Sequence, residues 1–262
     1  MPAMTNRLEG KACVVTGAGG GIGLAIAKAF AVEGAKVVVN DMDRAAARSA
    51  VEEIETAGGR AVANTEPIGT VEAADSVVST ALDSFGRLDV LVNNAGVLRD
   101  GMTHKMTEED FDLVIKVHLK GTWACGRAAL QHWRPLVKSE AETGDPPHRK
   151  IINVTSASGL MGAVGQSNYA AAKMGIVGLT KTWAKETGRL NINVNAIAPA
   201  ALTAMTEPLV EDPEAARPRL ARFAMGRYGL PEEIAPSFVF LAGAESDYIT
   251  GQVLCVDGGL VI

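Results

Sequence analysis

The chain has 262 residues, a net charge of −5, 47% hydrophobic and 21% charged residues. That length suits one large α/β domain or two small ones, and the absence of a Pro/Ser-rich linker or internal repeat favours one domain over residues 1–262. The acidic balance argues against nucleic acid as a partner, and no apolar run reaches the ~18 residues that span a bilayer.

Three scattered cysteines, Cys13, Cys125 and Cys255, show no metal-ligand spacing. They read as small core residues in a reducing compartment, and a cytoplasmic protein is expected. The first residues lack the apolar core of a signal peptide.

Lys11–Thr16 is predicted as a strand running into Thr16-Gly17-Ala18-Gly19-Gly20-Gly21-Ile22-Gly23 and a helix to about Glu33. Strand, glycine turn and helix form the context in which backbone N–H groups receive a pyrophosphate, so Gly17, Gly20, Gly21, Ile22 and Gly23 are cofactor candidates. The second strand, Lys36–Asn40, delivers Asp41, whose carboxylate suits both ribose hydroxyls of adenosine and repels a 2′-phosphate. That favours NAD over NADP, as does Gly20, which offers no basic side chain. Arg44 counts against it, and Asp41 or Asp43 capping the next helix is the alternative.

A helix over Arg44–Ala57, a strand over Ala61–Asn64 and a helix over Val71–Phe85 follow. The fourth strand, Leu88–Val92, ends in Asn93-Asn94-Ala95-Gly96, residues able to satisfy neighbouring backbone and pass close to a ribose. Thr107 and its acidic successors open a helix expected to stop near Trp133, before Pro135. Residues 138–149 read as a polar loop. Residues 151–175 read as a buried strand, a glycine-rich turn and a helix start. Ser156 falls at the strand end, and Tyr169 and Lys173 share one face of the helix Ser167–Thr187. An ammonium beside a phenol lowers the phenol pKa toward working pH, so the phenol can exchange a proton with a substrate oxygen that the Ser156 hydroxyl holds. The last strands are expected at Asn193–Ile197, which ends at Pro199, and at Gln252–Val256, with a mobile lid over 200–230 and a helix over Pro231–Gly243 between them. Met161, Val164, Met205 and Phe223 line an apolar pocket or belong to the core. Arg217, Arg219 and Arg222 meet substrate phosphates or form a solvated face.

Strands and helices alternate throughout. The pattern predicts a doubly wound parallel sheet with helices on both faces and ligands at the carboxyl ends of its strands. Thr16-Gly17-x-x-x-Gly21-x-Gly23, Asn93-Asn94-Ala95-Gly96, Ser156, Tyr169-x-x-x-Lys173 and Val256-Asp257-Gly258-Gly259 together resemble the short-chain dehydrogenase/reductase family over nearly the whole chain. The resemblance implies a seven-stranded Rossmann-like α/β sheet, a nicotinamide cofactor and a homotetramer or homodimer. It gives Tyr169 the acid/base role, Ser156 the substrate oxygen and Lys173 the nicotinamide ribose. Asn94, Ala95, Gly96, Pro199 and Thr203 then join the cofactor site, with Thr203 near the carboxamide.

Three departures stand out. His118 occupies the place of an Asn that holds a relay water, and either replaces it or is structural. Pro199-Ala200 stands for the usual Pro-Gly. The Asp that often follows the third strand is absent, with Glu66 or Ile68 as substitutes. Residues 93–100, 117–121 and 165–169 are similar to (3R)-hydroxyacyl-CoA dehydrogenase domains and 3-oxoacyl thioester reductases. This similarity implies a small-molecule acyl thioester substrate, with steroid or other alcohols as the alternative. A non-catalytic NAD(H)-binding protein is the rival of another class.

Overall fold

The computed structural model describes residues 6–144 and 147–262. The signal-peptide reading of residues 1–5, and Pro146, lie outside the described residues. Seven strands form one parallel sheet: β1 Ala12–Thr16, β2 Lys36–Asn40, β3 Arg60–Asn64, β4 Val90–Asn93, β5 Arg149–Val154, β6 Ile192–Pro199 and β7 Val253–Val256. Their order is β3-β2-β1-β4-β5-β6-β7. The order reverses between β1 and β4, which places a ligand crevice at their carboxyl ends.

The strands alternate between two apolar cores, as the two-residue period of an extended chain requires. Cys13, Val15, Val37, Val39, Val90, Val92 and Ile152 face one core with α1 (Gly21–Val32), α2 (Arg44–Thr56) and α9 (Pro231–Ala242). Val14, Val38, Leu91 and Ile151 face the other, with α3 (Val71–Phe85), α5 (Gly121–Thr143) and α7 (Ser167–Thr187). Helices therefore cover both faces, and near-continuous Val/Ile runs suit strands buried on two sides. No helix among the described residues is long and apolar enough to cross a membrane.

Two expectations fail between β4 and β5. Pro135 does not end a helix. From α4 (Glu108–Val114) the backbone passes through a π-helical segment, Ile115–Lys120, into α5, which carries Pro135 inside it and runs to Thr143. Trp133 and Val137 are buried on either side of the proline, and the Trp133 indole donates to Leu88 O at 2.8 Å. This anchoring outweighs the lost backbone bond, and the carbonyl the proline deprives belongs to exposed Gln131. Most of 138–149 is thus helix and strand rather than loop. Arg149 is buried at the start of β5 and makes a two-pronged bond with Glu140 at 2.6 and 2.8 Å, tying the helix end to the sheet.

Residues 200–230 leave the sheet and return to it. They contain a short 3-10 turn, Glu207–Leu209, and α8 (Pro213–Leu220). An isolated bridge pairs Ala201 with Gly229, and Ala224 and Met225 donate to the Gly259 and Gly258 carbonyls. Asp257 holds that C-terminal turn by accepting from the N–H groups of Gly259, Leu260 and Val261.

Candidate active site

The carboxyl ends of β1, β2, β4, β5 and β6 bring the candidate residues to one crevice. The Thr16 hydroxyl, 1% exposed, accepts from Asn94 N and Ala95 N, both at 3.0 Å. The Asn94 amide in turn donates to the Thr16 and Gly17 carbonyls, both at 2.9 Å. Asn94 therefore fixes the glycine loop through its backbone. A methyl on Gly17 would sit 2.8 Å from Ala95 Cα, and one on Gly23 would run into the Gly17 carbonyl. Gly17 and Gly21 have φ of +63° and +54°, which favours glycine at both. A methyl on Gly20 would meet nothing within 4 Å, so this face of the loop is open.

α1 starts at Gly21 with no side chain capping its first turn. Its free N–H groups and positive dipole end form an anion site of the kind a pyrophosphate occupies, and Ile22 lies in that turn. The Thr203 side chain passes 3.4 Å from where a Gly21 methyl would stand, which puts it over the glycine loop. Thr203 N donates to the Thr206 hydroxyl at 2.9 Å, and that hydroxyl donates to Ala201 O at 2.7 Å, fixing the turn after Pro199.

Asp41 is not a helix cap; Asp43 caps α2, accepting from Ala45 N and Ala46 N. Asp41 instead accepts from Gly19 N at 2.9 Å and Asp43 N at 3.0 Å, so its carboxylate lies against the glycine loop beyond β2. Of the two residues weighed as substitutes for the missing aspartate, Ile68 packs on the core. Glu66 is held at the ends of β2 and β3 by Asn40 and Asn64.

Past β5, Ser156 opens not a glycine turn but a one-turn helix, α6 (Ala157–Met161), accepting from Ser158 N at 3.2 Å. The Thr155 hydroxyl donates to Lys173 O at 2.7 Å and so clamps α7 to the strand end. Ser156 lies near enough to the Tyr169 phenol to lower its pKa. Lys173 is 3% exposed, donates to Val154 O at 2.7 Å, and lies 5.4 Å from the Tyr169 ring centroid.

The electrostatics differ from the sequence expectation. Burial pushes the Tyr169 phenol up to about 12, with Ser156 opposing the rise and Asp100 adding to it. Burial alone pulls Lys173 down to about 7. In the protein by itself desolvation of the phenol outweighs any help from the lysine.

His118 lies in the π-helical segment and is 2% exposed. Its Nε2 meets Val97 N at 3.0 Å and Val97 O at 2.8 Å, its Nδ1 is buried without a partner, and its ring stands edge-on to Tyr169 at 5.1 Å. A methyl on Gly96 would collide with that ring, which accounts for the glycine. Burial, then the Lys173 charge, lower the His118 pKa to about 3, so the ring is neutral.

Several positioning residues carry no motif of their own. Asn168, 0% exposed, donates to Arg99 O at 2.9 Å and Asp110 O at 3.3 Å, seating Tyr169 beneath the loop after β4. Asn93 donates to Asn153 at 2.9 Å, and Asn153 to Thr180 at 2.9 Å, a buried chain linking β4, β5 and α7. Only the register of the sheet, which sets Asn93 opposite Asn153, brings these residues together. Of the four apolar pocket candidates, Met161, Val164 and Met205 are exposed. Phe223 is core, packed on Tyr228 at 4.7 Å.

The crevice fits a dinucleotide. Glycines without room for a methyl line the backbone approach, an uncapped helix start faces it, and a carboxylate stands at its far end. Residues 17–261 match a family described as "Enoyl-(Acyl carrier protein) reductase". The chain is 44% identical to the 3-oxoacyl-[acyl-carrier-protein] reductase FabG of Thermotoga maritima, over 98% of this chain and 100% of that protein. It is 39% identical to the (2S)-[(R)-hydroxy(phenyl)methyl]succinyl-CoA dehydrogenase subunit BbsD of Thauera aromatica, over 96% and 97% of the two chains. The crystal structure of a short chain dehydrogenase from Mycobacterium avium matches with a TM-score of 0.82 at 43% identity, covering 96% of this chain and 83% of that one.

Proposed function

Because the chain belongs to the short-chain dehydrogenase/reductase family, we propose that it interconverts 3-hydroxyacyl and 3-oxoacyl thioesters with NAD(H), on CoA or a carrier protein. The thioester reading draws support from relatives named for acyl-carrier-protein and CoA substrates. It draws further support from exposed apolar side chains, Met161 at the end of α6, Val164 just before α7 and Met205 in the 200–230 segment, which suit an acyl chain. That segment, anchored at both ends, serves as the substrate lid.

NAD over NADP draws support from the Asp41 carboxylate, which follows β2 and lies against the glycine loop, a position from which a carboxylate can accept from an adenosine ribose. A 2′-phosphate there meets a negative charge and, at Gly20, no cation. Arg44, exposed in the first turn of α2, is one residue from the Asp43 cap and supplies the opposing charge.

The glycine loop and the α1 N-terminus hold the pyrophosphate, Asp41 the ribose, and Thr203 the region beside Gly21. The nicotinamide supplies or accepts the hydride. Tyr169 delivers a proton to the substrate oxygen in reduction and removes it in oxidation, while Ser156 donates to the same oxygen and fixes its place. Lys173 adds positive charge beneath the phenol and binds the nicotinamide ribose. His118 stands at the place of the relay residue, and its neutral ring would pass protons on only if its Nδ1, buried here without a partner, gained room for a water. With its pKa raised to about 12 the Tyr169 phenol is protonated at neutral pH, the form from which reduction starts, and is a weaker acid than a free phenol.

The test is nicotinamide absorbance with acetoacetyl-CoA, run with NADH and NADPH. Higher kcat/KM with NADH, shifting at least tenfold toward NADPH in Asp41→Ala, is expected. Turnover with NADPH alone refutes the cofactor assignment, and cofactor binding without turnover of any alcohol or ketone favours the non-catalytic reading.

A further inference from the structure

The loop after β4 is stapled over the start of α7. Gly101 N donates to Gly165 O at 2.8 Å, and the Gln166 amide donates to Asp100 Oδ2 at 2.8 Å. Gln166 lies one residue before α7 and three before Tyr169, so the pair stands about one helical turn along the chain from Tyr169. Asp100 is exposed, and no cation among the described residues forms an ion pair with it. Its neighbour Arg99 is turned away, onto Asp110 and Leu98 O. Gln166 receives Asp100 through one N–H and keeps the rest of its amide unengaged.

We propose that Asp100, tethered to Gln166 at the entrance above Tyr169, is a charge filter that admits a 3-oxoacyl group as its neutral ester or thioester and turns away the free 3-oxo acid. The inference rests on the 3-oxoacyl reading above. In a 3-oxo acid the carboxylate lies two bonds from the ketone carbon. When that ketone oxygen meets Tyr169 and Ser156, the acid's charge is brought into the space Asp100 overlooks. The loop that carries Asp100 is seated on the residue before Tyr169, since Asn168 donates to Arg99 O at 2.9 Å, and the Asp100 charge adds to the rise of the phenol pKa. A site built for the free acid needs a cation or a donor fork there; this one presents an anion. In the thioester the same position carries no charge, and the sulfur and the remainder of the carrier leave past the loop. Repulsion between two carboxylates across a solvated entrance amounts to about fivefold to tenfold in rate constant at moderate salt.

The experiment measures kcat/KM for acetoacetate, ethyl acetoacetate and acetoacetyl-N-acetylcysteamine with NADH, in wild type, Asp100→Asn and Asp100→Glu, at low and high salt. Ethyl acetoacetate is an uncharged reference without a thioester. The ester-to-acid ratio is expected to fall at least fivefold in Asp100→Asn and to stay near wild type in Asp100→Glu, which keeps the charge. In wild type the acid's kcat/KM rises with salt while the ester's does not, a readout that needs no variant. An unchanged ratio in Asp100→Asn, an equal fall in Asp100→Glu, or no salt effect on the acid overturns the filter. Turnover of the ester but not the thioester overturns the thioester reading instead, and leaves the filter to be judged on the ester-to-acid ratio.

Discussion

Replacing Lys173 with Met separates what the lysine costs the fold from what it contributes to the chemistry. Lys173 is 3% exposed, and its pKa falls from 10.5 to about 7. The folded state therefore binds the proton less tightly than the unfolded state. Below both values the mismatch costs the fold roughly 5 kcal/mol, and the cost fades as pH rises from about 7 to 10.5. Methionine has similar length and no charge, and forfeits the bond from Nζ to Val154 O at 2.7 Å, worth about 1 kcal/mol. The net is a variant more stable than wild type by about 3–4 kcal/mol at pH 6 and by about 1 kcal/mol at pH 9. Urea unfolding of both proteins at the two pH values measures it, with turnover assayed in parallel and expected to vanish. A Met variant no more stable at pH 6, or equally stabilised at both pH values, would show that Lys173 is not a strained buried cation and refute the reasoning.

Two further outcomes follow from the same geometry. Gly23→Ala pushes a methyl into the Gly17 carbonyl and to 2.6 Å from the Asn94 amide nitrogen. NADH affinity by fluorescence titration is expected to drop more than tenfold, with smaller loss of thermal stability. For His118 the folded pKa, about 3, lies below the ordinary 6.5. Wild type thus loses stability as pH falls from about 6.5 toward 3, because unfolding lets the ring take up a proton. His118→Asn is expected to retain turnover, since a short amide still reaches a water, and to flatten that acid limb in thermal melts at pH 4 and 7. His118→Leu keeps the flat limb but loses turnover at least tenfold.

Much of this architecture was legible because it rests on local rules. β2, α3 and α7 match their expected boundaries residue for residue, each bounded by a glycine, a capping Thr or a change of hydrophobic period. The candidate cofactor and proton-transfer residues cluster because parallel strands deliver all their carboxyl ends to one edge. The failures are cases of tertiary override. Pro135 signals a helix end, yet Trp133 and Val137 hold the helix through it. Gly159 sits in α6 because a methyl there would press within 2.8 Å of Lys173 Cβ, a contact between segments that no local pattern reveals. The phenol and lysine were expected to tune each other by charge. Burial instead dominates both, and burial depends on the folded surroundings rather than on the spacing Tyr169-x-x-x-Lys173.

The most direct measurement is a single turnover of acetoacetyl-CoA by Tyr169→Phe, alongside its NADH affinity. Phenylalanine keeps the ring against His118 and removes only the oxygen that carries the proton. Loss of at least a thousandfold in rate with NADH affinity within threefold of wild type is the expected result. Turnover close to wild type would contradict Tyr169 as the proton donor, and with it the reading of this crevice as a ketone-reducing site.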